Sequence, residues 1–550
     1  MKKNYFLLLL LLPFLSVSQT ESGILNIDAT IPYQGVGEAM PLLGSAEYKI
    51  FYSGNTAVID KPIIFVDGFD PNDSRDIPAM YDLLDYGNPV ENLGDIVRSE
   101  GFDLIVLNFP EEYFSPTDGT SVIKGGADFI QRNAFILIEL INVINGLKVG
   151  TEENVVIGPS MGGLISQYAL RHMEENTMDH ETRLFISFDA PHLGANVPIG
   201  LQYLFNYMVD GDPGITDAEP IVSGLLNSPA AKQMLIDHYL AHVDGGGINQ
   251  DGSTHTPKGA PNFRDAFQTE LNNKGLPQNT TKNIAISNGS GSGQMTGSPG
   301  MQLLNHTFDT GPVDTGFPFG VVDSRAIISV NFTPLKNQNI TVTDFVGQAN
   351  LIGWNTIYSY DATAESTSLS DGIDSAPGGQ FDLFSFDDGS NALITEFVAN
   401  LNSQYFDFIP TLSGLSISNN DWYATPLAVN SPFDDVFMPT NNEPHVTITE
   451  ANANFALAEI RQGALSVSNF NTIDIKLAQN PIDNELIILN NSNKLQSDLT
   501  IVDFTGKIVY QNKNRELSNR TVIPLNVSSG LYLLNIKSNE GQMTFKVIVR

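Results

Sequence analysis

Short apolar runs alternate with helical patterns through the first third of the chain. Runs at 62–66, 104–108, 154–157 and 184–188 are mainly apolar and are bounded by polar or turn-forming residues, as expected for strands buried on both faces. Residues 122–147, which separate two of these runs, are rich in Ile, Leu and Ala and predict a long helix. Buried strands that alternate with helices indicate an α/β fold with a mostly parallel sheet.

Three later stretches follow other patterns. Residues 200–280 carry helical segments rich in Met, Leu and Tyr and predict a helical cap or lid. Residues 300–385 contain segments of alternating apolar and polar residues and predict a late antiparallel β insertion. Residues 471–550 hold short strand-like runs separated by Asn, Gly and Ser turns, a pattern typical of a small β-sandwich.

The distribution of charge supports a boundary near residue 470. The 550 residues carry a formal net charge of −34, yet residues 471–550 contain nine basic and seven acidic residues, a net charge of +2. We therefore predict a main domain at 19–465 and a separate C-terminal domain at 471–550. The strongly acidic main domain disfavours nucleic acid as a partner, because both molecules are negatively charged.

The first eighteen residues have the three parts of a secretory signal peptide. Lys2 and Lys3 are followed by an apolar stretch at 6–12 and by the small residues Ser16-Val17-Ser18. No later segment approaches twenty uninterrupted apolar residues, so we predict no transmembrane segment. The chain has no cysteine, and we expect an exported protein held together by core packing rather than by disulfides.

No sequence pattern calls for a cofactor, and the sequence leaves a metal site undetermined. Structural Ca²⁺ is compatible with the acidic composition, although the chain shows no complete calcium-loop pattern. Asp387-Asp388-Gly389-Ser390 is the best candidate segment for such an ion.

The most informative motif is Gly158-Pro159-Ser160-Met161-Gly162, a G-x-S-x-G sequence between a predicted strand and a predicted helix. This context is that of a nucleophile elbow, in which a tight turn exposes the serine hydroxyl above the sheet edge. The amide of Met161, at the start of the helix, is then placed to stabilise an oxyanion. We predict that Ser160 is the nucleophile of an acyl-transfer reaction.

Residues from about 46 to 465 resemble the α/β-hydrolase fold of lipases and esterases. The likeness rests on the elbow, on the turn Asp67-Gly68-Phe69 after the first buried strand, and on Ala190-Pro191-His192-Leu193-Gly194. It implies a second oxyanion-hole amide at Gly68 or Phe69. It also implies triad partners in the chain order Ser, then Asp or Glu, then His.

The order of the triad makes a late histidine the expected base. His445 lies near the end of the hydrolase-like block and precedes a predicted helix that Thr449 would cap. The acid remains open among three candidates, ranked Asp407, Asp434 and Asp374. Asp407 ranks first because Asp407-Phe408-Ile409-Pro410-Thr411-Leu412-Ser413 resembles, with one residue missing, the family segment Asp-Gly-x-Val-Pro-x-x-Ser.

The last eighty residues resemble the type A C-terminal sorting domain of the type IX secretion system of Bacteroidota. The likeness rests on four segments: Asn480-Pro481, Asp503-Phe504-Thr505-Gly506-Lys507, Leu525-Asn526-Val527-Ser528-Ser529-Gly530-Leu531-Tyr532 and residues 545–550. It implies export across both membranes, with the secretion machinery as a partner, and release or attachment at the cell surface.

Together these features predict a secreted serine hydrolase that cleaves carboxylic esters through an acyl-serine intermediate. The expected substrate is a small-molecule or lipid ester. Two alternatives remain open: an amidase or peptidase on the same scaffold, and a surface-binding protein whose site has lost activity. Substrate, chain-length preference, lid motion and oligomeric state are not specified by the sequence.

Overall fold

The structure, a computed structural model, describes residues 20–211, 219–252, 255–316, 318–387, 389, 392–464, 475–490, 495–503, 507–538 and 542–550. The predicted signal peptide at 1–18 lies outside these ranges. The chain divides into two units, Met1–Ile460 and Arg461–Arg550.

The described strands of the first unit follow the chain in this order: β1 Leu25–Asp28, β2 Ser45–Phe51, β3 Pro62–Val66, β4 Asp85–Tyr86, β5 Glu91–Asn92, β6 Asp103–Asn108, β7 Tyr113–Phe114, β8 Val122–Ile123, β9 Asn154–Pro159, β10 Thr182–Phe188, β11 Lys282–Ile286, β12 Gln302–Asp314, β13 Val321–Asn331, β14 Asn339–Asn350, β15 Trp354–Glu365, β16 Gly378–Asp382, β17 Tyr405–Pro410 and β18 Asp435–Phe437.

The described α-helices are α1 Ile77–Asp82, α2 Leu93–Ser99, α3 Ile130–Leu147, α4 Met161–Glu175, α5 Ile199–Asp210, α6 Pro229–Met234, α7 Arg264–Lys274, α8 Ala392–Ala399, α9 Thr411–Gly414 and α10 Glu450–Ala464. A π-helical segment spans Pro220–Leu226.

The central sheet has eight strands in the order β1-β2-β6-β3-β9-β10-β11-β18. The pairs from β6 to β18 are parallel, and β1 and β2 form an antiparallel edge. Successive residues of β3 alternate between two cores: Ile64 and Val66 join one, while Ile63 and Phe65 join the other. Burial on both faces explains why this strand is continuously apolar in sequence.

The two cores lie on opposite faces of the sheet, each covered by helices. One core includes apolar residues of α3 and α4, and the other includes apolar residues of α1, α2 and α10. The predicted α/β class with a mostly parallel sheet is therefore confirmed.

The long helix begins later than the pattern predicted, at Ile130 rather than near residue 122. Before it, Gly125 and Gly126 lie in a 3-10 turn that packs against the turn after β3. The amide of Asp70 donates to the carbonyl oxygen of Gly126 at 3.0 Å. A Cβ on Gly126 would collide with the Asp70 backbone, so this approach requires glycine and delays the helix.

The inserted segments have the predicted types of secondary structure. Residues 200–280 contain α5, the π-helical segment, α6 and α7. Strands β12 to β15 form a four-stranded antiparallel sheet, and β16 pairs with β17 in a separate antiparallel pair. The predicted helical region and late β insertion are confirmed.

The second unit consists of two antiparallel sheets with a shared apolar core, as predicted for a β-sandwich. Its described strands are β19 Ile475–Leu477, β20 Glu485–Asn490, β21 Leu495–Asp503, β22 Ile508–Leu517, β23 Arg520–Pro524, β24 Gly530–Ser538 and β25 Gln542–Val549. The sheets have the orders β19-β20-β23 and β22-β21-β24-β25. Leu486 and Ile488 of the first sheet and Ile501, Leu534 and Ile536 of the second belong to the same core. Residues 504–506 of the quoted motif lie outside the described residues.

Candidate active site

Ser160 lies at a sharp turn between β9 and α4. Its backbone has φ 51° and ψ −129°, a conformation that costs energy for any residue other than glycine. The Ser160 amide donates to the carbonyl oxygen of Phe188 at 2.9 Å, which ties the turn to the neighbouring strand β10. The strand–serine–helix geometry is that of a nucleophile elbow.

The glycines of the motif allow the backbone segments around the elbow to approach closely. A Cβ on Gly162 would lie 2.6 Å from the carbonyl oxygen of Val66 and 2.7 Å from that of Asp67. A Cβ on Gly158 would lie 2.6 Å from the Cα of Gly163. Because these neighbours are backbone atoms, a side chain at either position would force the strand, the helix or the turn after β3 to move.

His445 is brought to Ser160 from 285 positions later in the chain. Its Nε2 lies 2.9 Å from the Oγ of Ser160, and its side chain is 13% exposed. The His445 amide donates to the carbonyl oxygen of Gln380 at 2.8 Å. The ring of Phe408 packs edge-on against the imidazole, with centroids 4.9 Å apart.

Asp189 is the carboxylate that contacts His445. Its Oδ2 lies 2.7 Å from the Nδ1 of His445, and the residue is fully buried. The other oxygen, Oδ1, accepts from the amide of Asn288 at 3.0 Å. Since a carboxylate only accepts hydrogen bonds, Nδ1 carries the imidazole proton and Nε2 is left free to accept one from Ser160.

The register of the sheet explains why Asp189 and Ser160 are neighbours. Phe188, the last residue of β10, pairs with Pro159, the last residue of β9. The residues that follow these parallel strands therefore leave the sheet at the same edge. Asp189 was identifiable as the residue directly after the predicted strand 184–188, but the acid was sought later in the chain.

The prediction of Asp407 as the acid is corrected by this geometry. Asp407 is fully buried in β17, and neither of its carboxyl oxygens has a hydrogen-bond partner among the described residues. Burial raises the pKa of Asp407 well above its ordinary value, and the charges of Asp189 and Asp374 raise it further. The segment that resembles the family's acid loop thus supplies a buried carboxyl whose surroundings favour its protonated form.

The other two acid candidates have different partners. Asp434 precedes β18, and its Oδ2 accepts from the amide of Asn283 near the start of β11, at the opposite end of the sheet from the elbow. Asp374 accepts from the amide of Thr333 at 2.7 Å and from the side chain of Asn196 at 3.1 Å. Its carboxyl links the β insertion to the loop after β10.

The turn after β3 lies against the nucleophile, as expected for an oxyanion hole. A Cβ on Gly68 would be 3.2 Å from the Cβ of Ser160. The Gly68 amide, however, donates to the Oδ1 of Asp67 at 2.7 Å. Within the described part of the chain, the amides of Met161 and Phe69 have no hydrogen-bond acceptor, so this pair is available to an oxyanion.

Asp67 places a titratable group beside that turn. Burial raises its pKa to about 7, while the positive charge of Arg75 and the Gly68 amide oppose the rise. The nearest guanidinium nitrogen of Arg75 is 3.7 Å from the Asp67 Oδ1. The charge of this carboxyl therefore changes near neutral pH.

A buried histidine, His192, joins β10 to α4 through its two ring nitrogens. Its Nδ1 lies 2.9 Å from the Oε1 of Gln167, whose amide nitrogen donates to Gly275, so Nδ1 is the protonated nitrogen. Its Nε2 then accepts from the Oγ of Ser187 at 2.7 Å. Ser287, the residue directly after β11, donates to the Asp189 Oδ1 at 3.3 Å and is a separate donor to that carboxylate. The sequence did not predict this network: His192 lies in the segment 190–194 that carries the family likeness, but no pattern links that segment to Ser187 and Gln167.

The described residues contain no cluster of three or more acidic, histidine or cysteine side chains arranged to hold a metal ion. Asp388 and Ser390 of the calcium candidate segment lie outside those residues. In the same described ranges, no helix has both the length and the apolarity needed to cross a membrane.

The C-terminal residues 479–550 match the family model of the secretion system C-terminal sorting domain. This stretch is a sorting domain. It confirms the resemblance found in the sequence, implies interaction with the secretion machinery, and indicates export to the cell surface or secretion. No curated protein is significantly similar to the chain.

Solved structures resemble parts of the chain at low identity. PorZ, a surface component of the type IX secretion system of Porphyromonas gingivalis, has 15% identity and a TM-score of 0.13 over 15% of this chain and 12% of its own. Est1E from Butyrivibrio proteoclasticus has 11% identity and a TM-score of 0.20 over 34% of this chain and 55% of its own. A Bacillus licheniformis lipase, BlEst2, has 14% identity and a TM-score of 0.22 over 44% of this chain and 72% of its own. The matches to PorZ and Est1E span less than two thirds of those proteins.

Proposed function

We propose that the protein is an exported serine hydrolase that cleaves carboxylic esters through an acyl-enzyme intermediate. The observation that carries this proposal is the continuous hydrogen-bonded series from the Ser160 hydroxyl through His445 to the buried Asp189. A nucleophile, a base and a group that orients the base, each within hydrogen-bond distance of the next, are what activation of a serine requires.

In the first half of the reaction, Ser160 Oγ attacks the ester carbonyl carbon while its proton passes to His445 Nε2. The carbonyl oxygen becomes an oxyanion that accepts hydrogen bonds from the amides of Met161 and Phe69. Asp189 stabilises the imidazolium that forms. Collapse of the tetrahedral intermediate breaks the bond to the alkoxy oxygen, which leaves as an alcohol after it receives the proton from His445.

In the second half, water replaces the alcohol. His445 removes a proton from the water, whose oxygen attacks the acyl carbon bound to Ser160. The same two amides stabilise the second oxyanion, and the proton on His445 returns to Ser160 Oγ as the carboxylic acid leaves. The enzyme is restored and one ester bond has been hydrolysed.

The test compares Ser160→Ala with the unaltered protein on p-nitrophenyl butyrate. We expect a loss of at least about 10³-fold in kcat/KM, because the nucleophile is removed while the fold is kept. Ser99→Ala is the control, since Ser99 is exposed and bonds to a backbone carbonyl within α2. Substantial turnover by Ser160→Ala would refute the proposal, and matched amide substrates would show whether amide bonds are also cleaved.

A further inference from the structure

A large apolar chamber lies beneath the four-stranded insertion. It has a volume of about 790 Å³ and is lined by residues of β12 to β15, α5, the π-helical segment and α8. Its wall includes the aromatic side chains Phe205, Phe308, Phe345 and Phe397. This volume and lining are those of a site for an apolar small molecule rather than a packing defect.

A second, smaller chamber (the narrow chamber) shares lining residues with the large one and is also lined by neighbours of the catalytic groups. Its volume is about 80 Å³. Phe205, Ile221 and Phe386 line both chambers. The narrow chamber is also lined by Phe69, of the turn that lies against Ser160, and by Phe408, whose ring contacts His445.

We infer that the substrate is an ester with a long aliphatic chain, which runs from Ser160 between Phe69 and Phe408, through the narrow chamber, into the large one. This inference rests on the proposed hydrolase function and adds a substrate class to it. The narrow chamber has a wholly apolar lining, so it admits hydrocarbon and excludes charged groups. A chain only a few carbons long would leave the large chamber unfilled.

The chemistry of the chamber predicts how strongly chain length matters. Each methylene transferred from water to an apolar wall changes affinity by about threefold. We therefore expect kcat/KM to rise steeply from butyrate to dodecanoate esters if the acyl chain occupies the chamber. If the alcohol chain occupies it instead, the rise appears between ethyl acetate and dodecyl acetate.

The experiment measures both series below the critical micelle concentration with the full-length protein, Ala326→Phe and Ser359→Phe. Ala326 is buried on β13 and lines the large chamber, distant in sequence from the triad. Its replacement by Phe should lower the ratio of kcat/KM for the long-chain ester to kcat/KM for the butyrate ester at least about tenfold. Ser359→Phe adds the same side chain at an exposed position of β15 that does not line the chamber, and it should not change this ratio.

Each outcome separates this inference from the proposed function. Butyrate hydrolysis that Ala326→Phe retains also shows that the variant is folded. A flat dependence on chain length in both series, with Ser160-dependent turnover, would overturn the chamber assignment and leave the hydrolase function standing. A second variant, Phe386→Ala, removes a side chain that lines both chambers. The chamber assignment would also be contradicted if Ala326→Phe lowered kcat/KM equally for short and long esters and Phe386→Ala left the chain-length selectivity unchanged. If the unaltered protein hydrolysed no ester of either series, that result would contradict the proposed function itself.

Discussion

The edge of the central sheet and the segments inserted after it contribute differently to the candidate site. Ser160 and Asp189 each follow the last residue of a parallel strand, and their neighbours Pro159 and Phe188 are paired in register. The insertion contributes Phe408 and the apolar chamber walls instead. Ser160 and Asp189 thus lie where the register of the parallel strands fixes them, whereas His445 depends on the insertion, through its bond to the Gln380 carbonyl oxygen and its contact with Phe408.

The carboxyls of the two regions show the same contrast. Asp189 at the sheet edge bonds to His445 and to the amide of Asn288. Asp407 in the inserted pair β16–β17 is equally buried, but among the described residues its carboxyl has no partner. Burial alone does not make a carboxylate a triad acid; it must also have donors that stabilise its charge.

The largest expected effect comes from exchanging these two carboxyls separately for amides. Asp189→Asn should lower kcat for p-nitrophenyl butyrate by about 10³- to 10⁴-fold, because the amide no longer holds His445 in the required tautomer. Asp407→Asn should remain within about threefold of the unaltered protein, since the Asp407 carboxyl forms no hydrogen bond to His445 or to any other described residue. Equal losses in the two variants would remove the distinction between the regions.

A smaller but still large effect is expected from glycine substitutions in the two regions. Gly162→Ala should destabilise the main unit by about 2–4 kcal/mol and reduce activity, because its Cβ would meet backbone oxygens of Val66 and Asp67. Gly347→Ala on β14 is the matched control. Its Cβ would lie 3.0 Å from the side chain of Tyr358, which can shift, and we expect less than about 1 kcal/mol. Chemical denaturation measures the free energy of unfolding of both variants. Similar losses of stability in Gly162→Ala and Gly347→Ala would contradict the proposed rigidity of the elbow.

The pH dependence of stability tests the neutral state of Asp407. The pKa of Asp407 is raised in the folded protein. The contribution of Asp407 to the free energy of unfolding is therefore greatest below its unfolded pKa of 3.8, and it is lost as the pH rises toward its folded pKa. The amide in Asp407→Asn does not titrate, so this variant does not lose stability in that way as the pH rises. The stability of Asp407→Asn relative to the unaltered protein should therefore increase as the pH rises above about 4, by at most about 1.4 kcal/mol per pH unit, until the folded pKa of Asp407 is passed. A pH-independent difference in denaturation midpoint would show that Asp407 is not buried as a neutral acid.

The smallest expected effect concerns the charge beside the oxyanion. Asp67 has a pKa raised to about 7, so it becomes negative as the pH rises through neutrality and opposes the developing oxyanion. Asp67→Asn should increase kcat/KM relative to the unaltered protein by roughly threefold to tenfold at pH 8.5 and little at pH 6. The control is Asp73→Asn: Asp73 lies in the same loop but is hydrogen-bonded to Asn108. This variant should not show the increase in kcat/KM at pH 8.5. A ratio independent of pH would show that Asp67 does not act on the reaction.

The sequence predicted those parts of the molecule that depend on local pattern. The buried strands, the elbow around Ser160 and the C-terminal sandwich follow from short apolar runs and turn residues. His445 was selected from its place in the chain order, and the structure brings it to Ser160 across 285 positions. Asp407 was ranked first on a motif resemblance, whereas the structure places Asp189 in contact with His445. Residues that follow adjacent parallel strands meet at one edge, which points to Asp189.

Other features depended on contacts that no local pattern encodes. The late start of α3 at Ile130 follows from the packing of Gly126 against Asp70. The network of His192, Ser187 and Gln167 joins residues from three elements. The apolar chamber requires the fold of the insertion, because its lining residues are spread over more than 150 positions.

The most direct test of the account is labelling of the secreted protein with a fluorophosphonate probe, followed by peptide mapping. The account predicts one modified residue, Ser160, with labelling abolished in Ser160→Ala and strongly slowed in His445→Ala. Labelling at another serine, or none at Ser160 in folded protein that hydrolyses esters, would contradict the central claim that this elbow serine is the nucleophile.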